Sequence, residues 1–415
     1  LGSNVLSKSI VFTEFKFPNG QLIKNRIVKA AMEENMSDES LQPGGSLLNL
    51  YKKWAEGGVG LILTGNVMVD RLAMTGPGGV VLENQTELEK FTRWSTAAKS
   101  NDTKIWMQIN HPGRQVYKKM GGKVYSPSDV SLDMGKLSDM FGDAQAMTEE
   151  QIKDLIQRFT DTAVQAEKAG FDGVQIHAAH GYLIAQFLSP LVNKRQDQWG
   201  GSIENRARLL IEIIKCVKAA TEKEFGVGVK LNSADFQRGG FDVGDAMTVV
   251  QYLEPLAIDL VELSGGSYEA PAMQGITADG RTLNREAYFL EFAEKIASQT
   301  KIPVMTTGGI RRLPVAEKVL EQNVALVGIA TGLATEPNLP NIWRTDREFE
   351  APYPEINWKN KTFRGLAVMA YVKRQLRRVG ANKSVLANAS PLFTLIRDQA
   401  RTSKLTKRYK DIVAK

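Results

Sequence analysis

Two histidines and a tyrosine fall within six residues of one another, in Val174-Gln175-Ile176-His177-Ala178-Ala179-His180-Gly181-Tyr182-Leu183. Two imidazole donors converging on one oxygen, with a phenol nearby as proton source, would polarise a carbonyl and deliver a proton. The histidines are three apart, so a helical turn after a strand would bring both rings to one side. A metal site is the rival reading, but the only other histidine, His111, stands alone among few suitable carboxylates. Packing alone is a further rival, though two histidines and a tyrosine make a dense polar cluster for a core. A second candidate is Lys230, inside the apolar run Gly226-Val227-Gly228-Val229-Lys230-Leu231-Asn232. A cation there costs several kcal/mol unless an anion meets it. Either Glu262 on the next run supplies that anion, or an electron-rich ring whose reduced form is anionic does. Thirdly, Thr306-Thr307-Gly308-Gly309-Ile310 and Gly328-Ile329-Ala330-Thr331-Gly332 end two apolar runs with glycines. Such turns free backbone N–H groups that can cradle a phosphate.

These residues need a scaffold that brings strand ends together. Short apolar runs at 27–31, 59–65, 104–110, 173–177, 226–232, 259–264, 302–307 and 325–330 each precede a helical pattern. Their barely alternating Val/Ile/Leu content suits parallel strands buried on both faces. Eight strand–helix repeats predict a (β/α)8 TIM barrel, an α/β fold whose active sites form at the C-terminal strand ends. Helix signals agree. Thr148 and Gln151 form a capping box before Ile152, Leu155, Ile156, Phe159, Ala163 and Ala166, and Gly170 closes that helix. Ser202 caps a helix with Leu209, Leu210, Ile213 and Val217 on one face. Before the barrel, residues 12–23 read as a hairpin turning at Pro18-Asn19-Gly20, a plug for the barrel bottom. The segment 116–147, with Pro127 and four glycines, predicts a lid over the top. The whole chain reads as one domain, with the barrel at about 24–345 and a helical extension at about 346–415 that includes a helix over 361–379.

Composition bounds the rest. At 43% apolar and 24% charged residues the chain can build a large core. No run approaches the length of a membrane span. The start shows no charged or apolar leader pattern, and Leu1-Gly2-Ser3 reads as a cloning remnant. Cys216 is the single cysteine; it is expected as an inert buried thiol on a helix core stripe and fits a reducing cytoplasm. The net charge of +7 gathers in the tail, around Arg374, Arg377 and Arg378 and between Lys404 and Lys410. A solvated helix face explains it better than nucleic-acid binding. Small molecules are therefore the expected partners, with neither nucleic acid nor membrane, and a homo-oligomer stays open.

From about residue 11 to 340 the chain resembles the Old Yellow Enzyme family of NAD(P)H:flavin oxidoreductases. The matching segments are Asn25-Arg26-Ile27-Val28-Lys29-Ala30-Ala31-Met32, Leu63-Thr64-Gly65-Asn66-Val67, Gln108-Ile109-Asn110-His111-Pro112-Gly113-Arg114, His177 to Leu183, Trp199-Gly200-Gly201-Ser202-Ile203-Glu204-Asn205-Arg206, and Gly308-Gly309. The resemblance implies FMN at the barrel mouth, with NADH or NADPH as hydride donor. Ala30, Ala31, Met32 and Glu33 would line the flavin from the first strand end and Gly65 from the second. Gln108 would bind its pyrimidine edge, Lys230 would sit by N1 and the C2 carbonyl, and Gly308, Gly309, Ala330 and Thr331 would hold its phosphate. His177 and His180 would grip a substrate carbonyl and Tyr182 would protonate the alpha carbon, while His111 looks structural. Hydride would pass from nicotinamide to flavin and then to the beta carbon of an alpha,beta-unsaturated carbonyl compound, in ping-pong order. Two positions depart from the family pattern. Glu33 stands where relatives carry a small residue near the flavin C4 carbonyl, and Thr331 replaces their phosphate-binding arginine, for which Arg311 could compensate. Two other readings are a dienoyl-thioester reductase or amine dehydrogenase of the wider family, and a degenerate barrel that binds without turnover. A lone cysteine cannot ligate the iron–sulfur cluster that the former groups often carry.

Overall fold

The apolar runs do become parallel strands, and the register closes them into a ring. In a computed structural model describing residues 9–274 and 289–415, the barrel strands are β1 (Ile27–Lys29), β2 (Leu61–Leu63), β3 (Lys104–Asn110), β4 (Gly173–Ala178), β5 (Gly226–Ala234), β6 (Leu260–Gly265), β7 (Val304–Thr306) and β8 (Leu326–Ile329). Each pairs in parallel with the next, and β8 returns to β1 through Val327↔Ile27 and Ile329↔Lys29. Several strands stop short of the runs that predict them. The run at 27–31 leaves the ladder after Lys29, and that at 59–65 pairs only over Leu61–Leu63. Those trailing residues turn into the mouth of the barrel. The Leu1-Gly2-Ser3 start lies outside the described residues.

Inward-facing side chains form layers. At the bottom Val28, Leu61, Leu63, Trp106, Leu260, Met305 and Leu326 make an apolar plug with Phe17 and Ile23 of the N-terminal hairpin. That hairpin pairs Phe15–Lys16 with Leu22–Ile23 and turns at Gly20, whose φ of 96° a glycine adopts without strain. Trp106 occupies the centre. A Cβ on Gly226 would stand 2.3 Å from its indole, so β5, two strands away around the ring, must carry glycine there. Above this layer the inward residues turn polar, and the site is built on them.

The helices cover the outside as their patterns require. The helix Glu149–Lys168 begins with the Thr148/Gln151 capping box and buries Ile152, Leu155, Phe159, Ala163 and Ala166. Ser202 caps Ile203–Ala220, which buries Leu209, Leu210, Ile213, Ile214 and Val217. Cys216 of that helix is only half-buried, because the core stripe runs through its neighbours; burial still pushes its thiol pKa up. Lys361–Gly380 packs on Gly45–Glu56, and Pro391–Val413 packs on Lys361–Gly380. The last helix is tied back to loops at the top of the barrel. Arg401 donates to the Asn35 carbonyl (2.9 Å), Arg408 to that of Ser37 (3.1 Å), and Tyr409 to that of Arg71 (2.6 Å). Part of the tail's basic charge thus holds loops. Among the described residues no helix is long and apolar enough to cross a membrane.

Candidate active site

The polar layer at mid-barrel is one chain of two hydrogen bonds and an ion pair. Gln108 donates to Gln175 across β3 and β4 (2.8 Å), Gln175 donates to Glu262 on β6 (2.7 Å), and Glu262 meets Lys230 of β5 at 3.4 Å. The ion pair expected as one of two readings of Lys230 is therefore present. Glu262 is wholly buried and Lys230 nearly so, which makes each the other's main compensation. One level higher Asn110 is buried, and both polar atoms of its amide lack a partner among the described residues.

The histidine cluster stands beside this chain. His177 ends the inward row of β4 and pairs in register with Lys230. No helical turn brings His180 to it, contrary to expectation. His180 takes a left-handed φ of 58° and Gly181 follows at 71°, and this tight turn folds the ring back. Rings of His177 and His180 meet edge to face at 5.0 Å, and His177 meets Tyr182 in the same way at 4.9 Å. A Cβ on Gly181 would fall 2.6 Å from that of Ser267, so the turn has no room for a side chain. The His180 backbone is held by Asn232, which accepts its N–H at 3.1 Å. Burial, and secondarily the charge of Lys230, hold both imidazoles well below the ordinary 6.5, so both are neutral at neutral pH. His177 Nδ1 accepts the Ala179 N–H (3.2 Å), which leaves its proton on Nε2. His180 Nε2 lies 2.7 Å from Ser264 Oγ. His111 packs against Tyr125 and accepts the Gly113 N–H through Nδ1 (3.0 Å), and burial lowers its pKa to about 4.

The ends of β1 and β2 are fixed from outside the ring. Gly65 donates its N–H to Tyr51 Oη (2.8 Å), which contacts the Glu34 carboxyl at 3.2 Å. Burial raises the Glu34 pKa to about 7 and lowers that of Lys29, stacked over Trp54, to about 8. Any side chain at 65 would collide with Glu34. Glu33 points to the loop after β2, where Thr75 and the Asn35 amide donate to it at 2.9 and 3.0 Å. Its charge still raises the pKa of Tyr117, Tyr182 and Tyr268, second to burial in the first two.

The ends of β7 and β8 offer backbone. Gly308 and Gly309 have φ of 130° and 72°, and their N–H groups and that of Ala330 find no acceptor among the described residues. Thr331 follows, half-buried. Arg311 is engaged elsewhere: it pairs with Glu350 (2.8 Å), donates to the Ala351 carbonyl and lies over Tyr353.

Sequence reasoning missed Tyr268, Gln175, Glu262 as a bridge to Gln175, and Asn110. Tyr268 follows Ser264-Gly265-Gly266-Ser267 at the end of β6, and that glycine turn at a strand end was its signal. It packs against Phe141 of the segment 116–147, so this segment reaches the mouth as a lid should. A cavity of about 450 Å³ opens at the opposite end of the strands beside Phe15, Pro303 and Ala325, away from all these groups.

The mouth of this closed barrel combines neutral imidazoles, two phenols, a lysine and backbone donors. The sequence pattern of the NADH:flavin oxidoreductase / NADH oxidase family matches residues 10–350, and the chain belongs to that family, whose cofactor is FMN. It is 34% identical over 343 residues to the NADH-dependent flavin oxidoreductase iliE of Hypocrea jecorina, covering 77% of this chain and 85% of that one. The structure resembles a 2-naphthoyl-CoA reductase complex with a TM-score of 0.74 at 26% identity, covering 81% of this chain but 52% of the other. It also shares its fold with an old yellow enzyme homologue from Zymomonas mobilis, with a TM-score of 0.69 at 23% identity and coverage of 82% and 94%.

Proposed function

We propose that this protein uses FMN and a nicotinamide donor to reduce the activated carbon–carbon double bond of an alpha,beta-unsaturated carbonyl compound. The observation that carries this reading is the cluster of two neutral imidazoles and a phenol beside Lys230. The residues present fit FMN: the unpartnered Asn110 amide and Lys230 suit a polar ring edge, and the free N–H groups of Gly308, Gly309 and Ala330 suit a phosphate. Ala30, Ala31, Met32, Glu33, Gly65 and Gln108 would complete the ring site and Thr331 the phosphate site. When bound, FMN supplies hydride to the beta carbon of the substrate.

The chain's own groups do the rest. His177 donates from Nε2 to the substrate carbonyl oxygen. For His180 to be the second donor, Ser264 Oγ must donate to its Nε2, which puts the imidazole proton on Nδ1. Both stay uncharged, so they polarise the carbonyl without protonating it. Tyr182 gives its O–H proton to the alpha carbon; burial, then Glu33, raise its pKa, so the phenol is intact until substrate arrives. The test is anaerobic reduction by NADH or NADPH followed by reoxidation with enones, nitroalkenes and quinones. Tyr182→Phe should leave flavin reduction unchanged, slow the enone step and affect quinones less. An enone step at full rate in that variant sinks the assignment.

A further inference from the structure

We propose that Tyr268 is a relay residue that hands solvent protons to Tyr182. This rests on Tyr182 being the proton donor. The two phenol oxygens are 3.1 Å apart, and the rings meet edge to face at 5.8 Å. Tyr182 is 7% exposed whereas Tyr268 is half-buried at the mouth, so Tyr268 is the better placed of the two to exchange its proton with water. For Tyr182 to point its own hydrogen at a substrate carbon, its oxygen must accept one from Tyr268.

The loop carrying Tyr268 is held for this purpose by consecutive residues of the loop after β3. Gln115 accepts the Tyr268 N–H through its side chain (3.1 Å) and donates to the His180 carbonyl (2.9 Å), so one amide spaces the two tyrosine-bearing loops. Arg114 pairs with Glu269 at 2.6 Å and also donates to the Val130 and Ser131 carbonyls of the lid. These contacts give a role to the Pro112-Gly113-Arg114-Gln115 turn, which the flavin and carbonyl sites leave without one.

The step balances as follows. The Tyr182 O–H bond breaks as the alpha C–H bond forms, leaving an electron pair on the Tyr182 oxygen. The Tyr268 proton moves to that oxygen, and water at the mouth reprotonates Tyr268. The net change is uptake of one solvent proton per turnover, with no redox partner beyond those of the reaction.

The experiment is single-turnover reoxidation of the reduced holoenzyme by a cyclic enone. It follows flavin absorbance, ultraviolet tyrosinate absorbance and proton uptake by an indicator dye, in wild type, Tyr182→Phe, Tyr268→Phe and the double variant. Tyr268→Phe keeps the ring and its packing. It should slow the enone step about tenfold or more, the order expected for a lost hydrogen bond to a group acquiring charge. It should also show a transient tyrosinate band that precedes proton uptake, and leave reduction by nicotinamide unchanged. The double variant should be no slower than Tyr182→Phe alone, since the relay acts only through Tyr182. A wild-type rate and no tyrosinate transient in Tyr268→Phe, with Tyr182→Phe slow, overturns the relay and leaves the proton donor standing. Additive losses in the double variant overturn it too, because they mark a packing effect. An unimpaired Tyr182→Phe overturns the donor assignment and the relay with it.

Discussion

Around Lys230 the mouth is built from side chains, four of them linked from Gln108 to Lys230 across four strands. Around Gly308 and Ala330 it offers mainly backbone N–H groups and the Thr331 hydroxyl, and the nearby Arg311 is paired with Glu350. The difference concerns how a site is held ready. The ring end is preorganised by buried groups that depend on one another, so removing one leaves another unpaired in low dielectric. The phosphate end consists of peptide groups fixed by the turn, so changes there alter affinity without endangering the fold.

The largest effect should come from breaking the ring end. Lys230→Met strands the Glu262 carboxylate, which is fully buried. Loss of one partner of such a pair costs about 3–5 kcal/mol. Denaturant unfolding of the apoprotein should show that loss, and Lys230→Met/Glu262→Gln should recover most of it by removing the orphaned charge. A single variant as stable as wild type would mean that Glu262 is protonated and the pair is not ionic.

A smaller effect tests whether the imidazoles are neutral. In the unfolded chain His177 titrates near 6.5, while in the folded protein burial and then Lys230 keep its pKa well below that. Below 6.5 the unfolded state therefore binds the extra proton, and wild type loses stability as pH falls, by at most about 1.4 kcal/mol per unit for this residue. His177→Gln lacks that loss, so the stability of wild type relative to the variant should decline through this window. Glu34 and Asp235, both raised to about 7 chiefly by burial, contribute slopes of the opposite sign, but these cancel in the difference. A difference that does not change with pH would show that the folded site protonates His177 as readily as the unfolded chain does.

The two ends also differ in how far the sequence revealed them. Strands buried on both faces are apolar throughout, which made the barrel readable, and a lysine in such a run is conspicuous. Glu262 is legible as a counter-ion for Lys230, but its link through Gln175 to Gln108 is not, because a polar residue in a strand does not announce which face it occupies; the register Gln175↔Gln108 and Lys230↔Glu262 places them inside. Spacing found the histidine pair but mistook its geometry, since a left-handed His180 depends on Asn232, which lies 52 residues away. Arg311 could be proposed for the phosphate from proximity in sequence, and the contacts of the 350–353 segment turn it elsewhere.

The finest test of the comparison lies at Thr331. An arginine there would offer a charged, forked donor to phosphate, where threonine has one neutral hydroxyl. The backbone N–H groups of Gly308, Gly309 and Ala330 remain in either case. Replacing a neutral donor by a charged one should gain roughly 1–2 kcal/mol, or about five- to thirtyfold in FMN affinity. Thr331 is half-buried, so a longer side chain can reach solvent without displacing the core. Thr331→Arg should therefore tighten FMN binding to reconstituted apoprotein, measured by flavin fluorescence, with little change in unfolding midpoint without cofactor. Arg311→Ala should leave the dissociation constant near that of wild type, because its guanidinium is committed to Glu350 and Ala351. If Arg311→Ala weakens FMN strongly while Thr331→Arg does nothing, a side chain holds the phosphate after all and the contrast between the two ends dissolves. If neither substitution matters, the backbone donors alone saturate the phosphate, and the contrast is sharper than drawn.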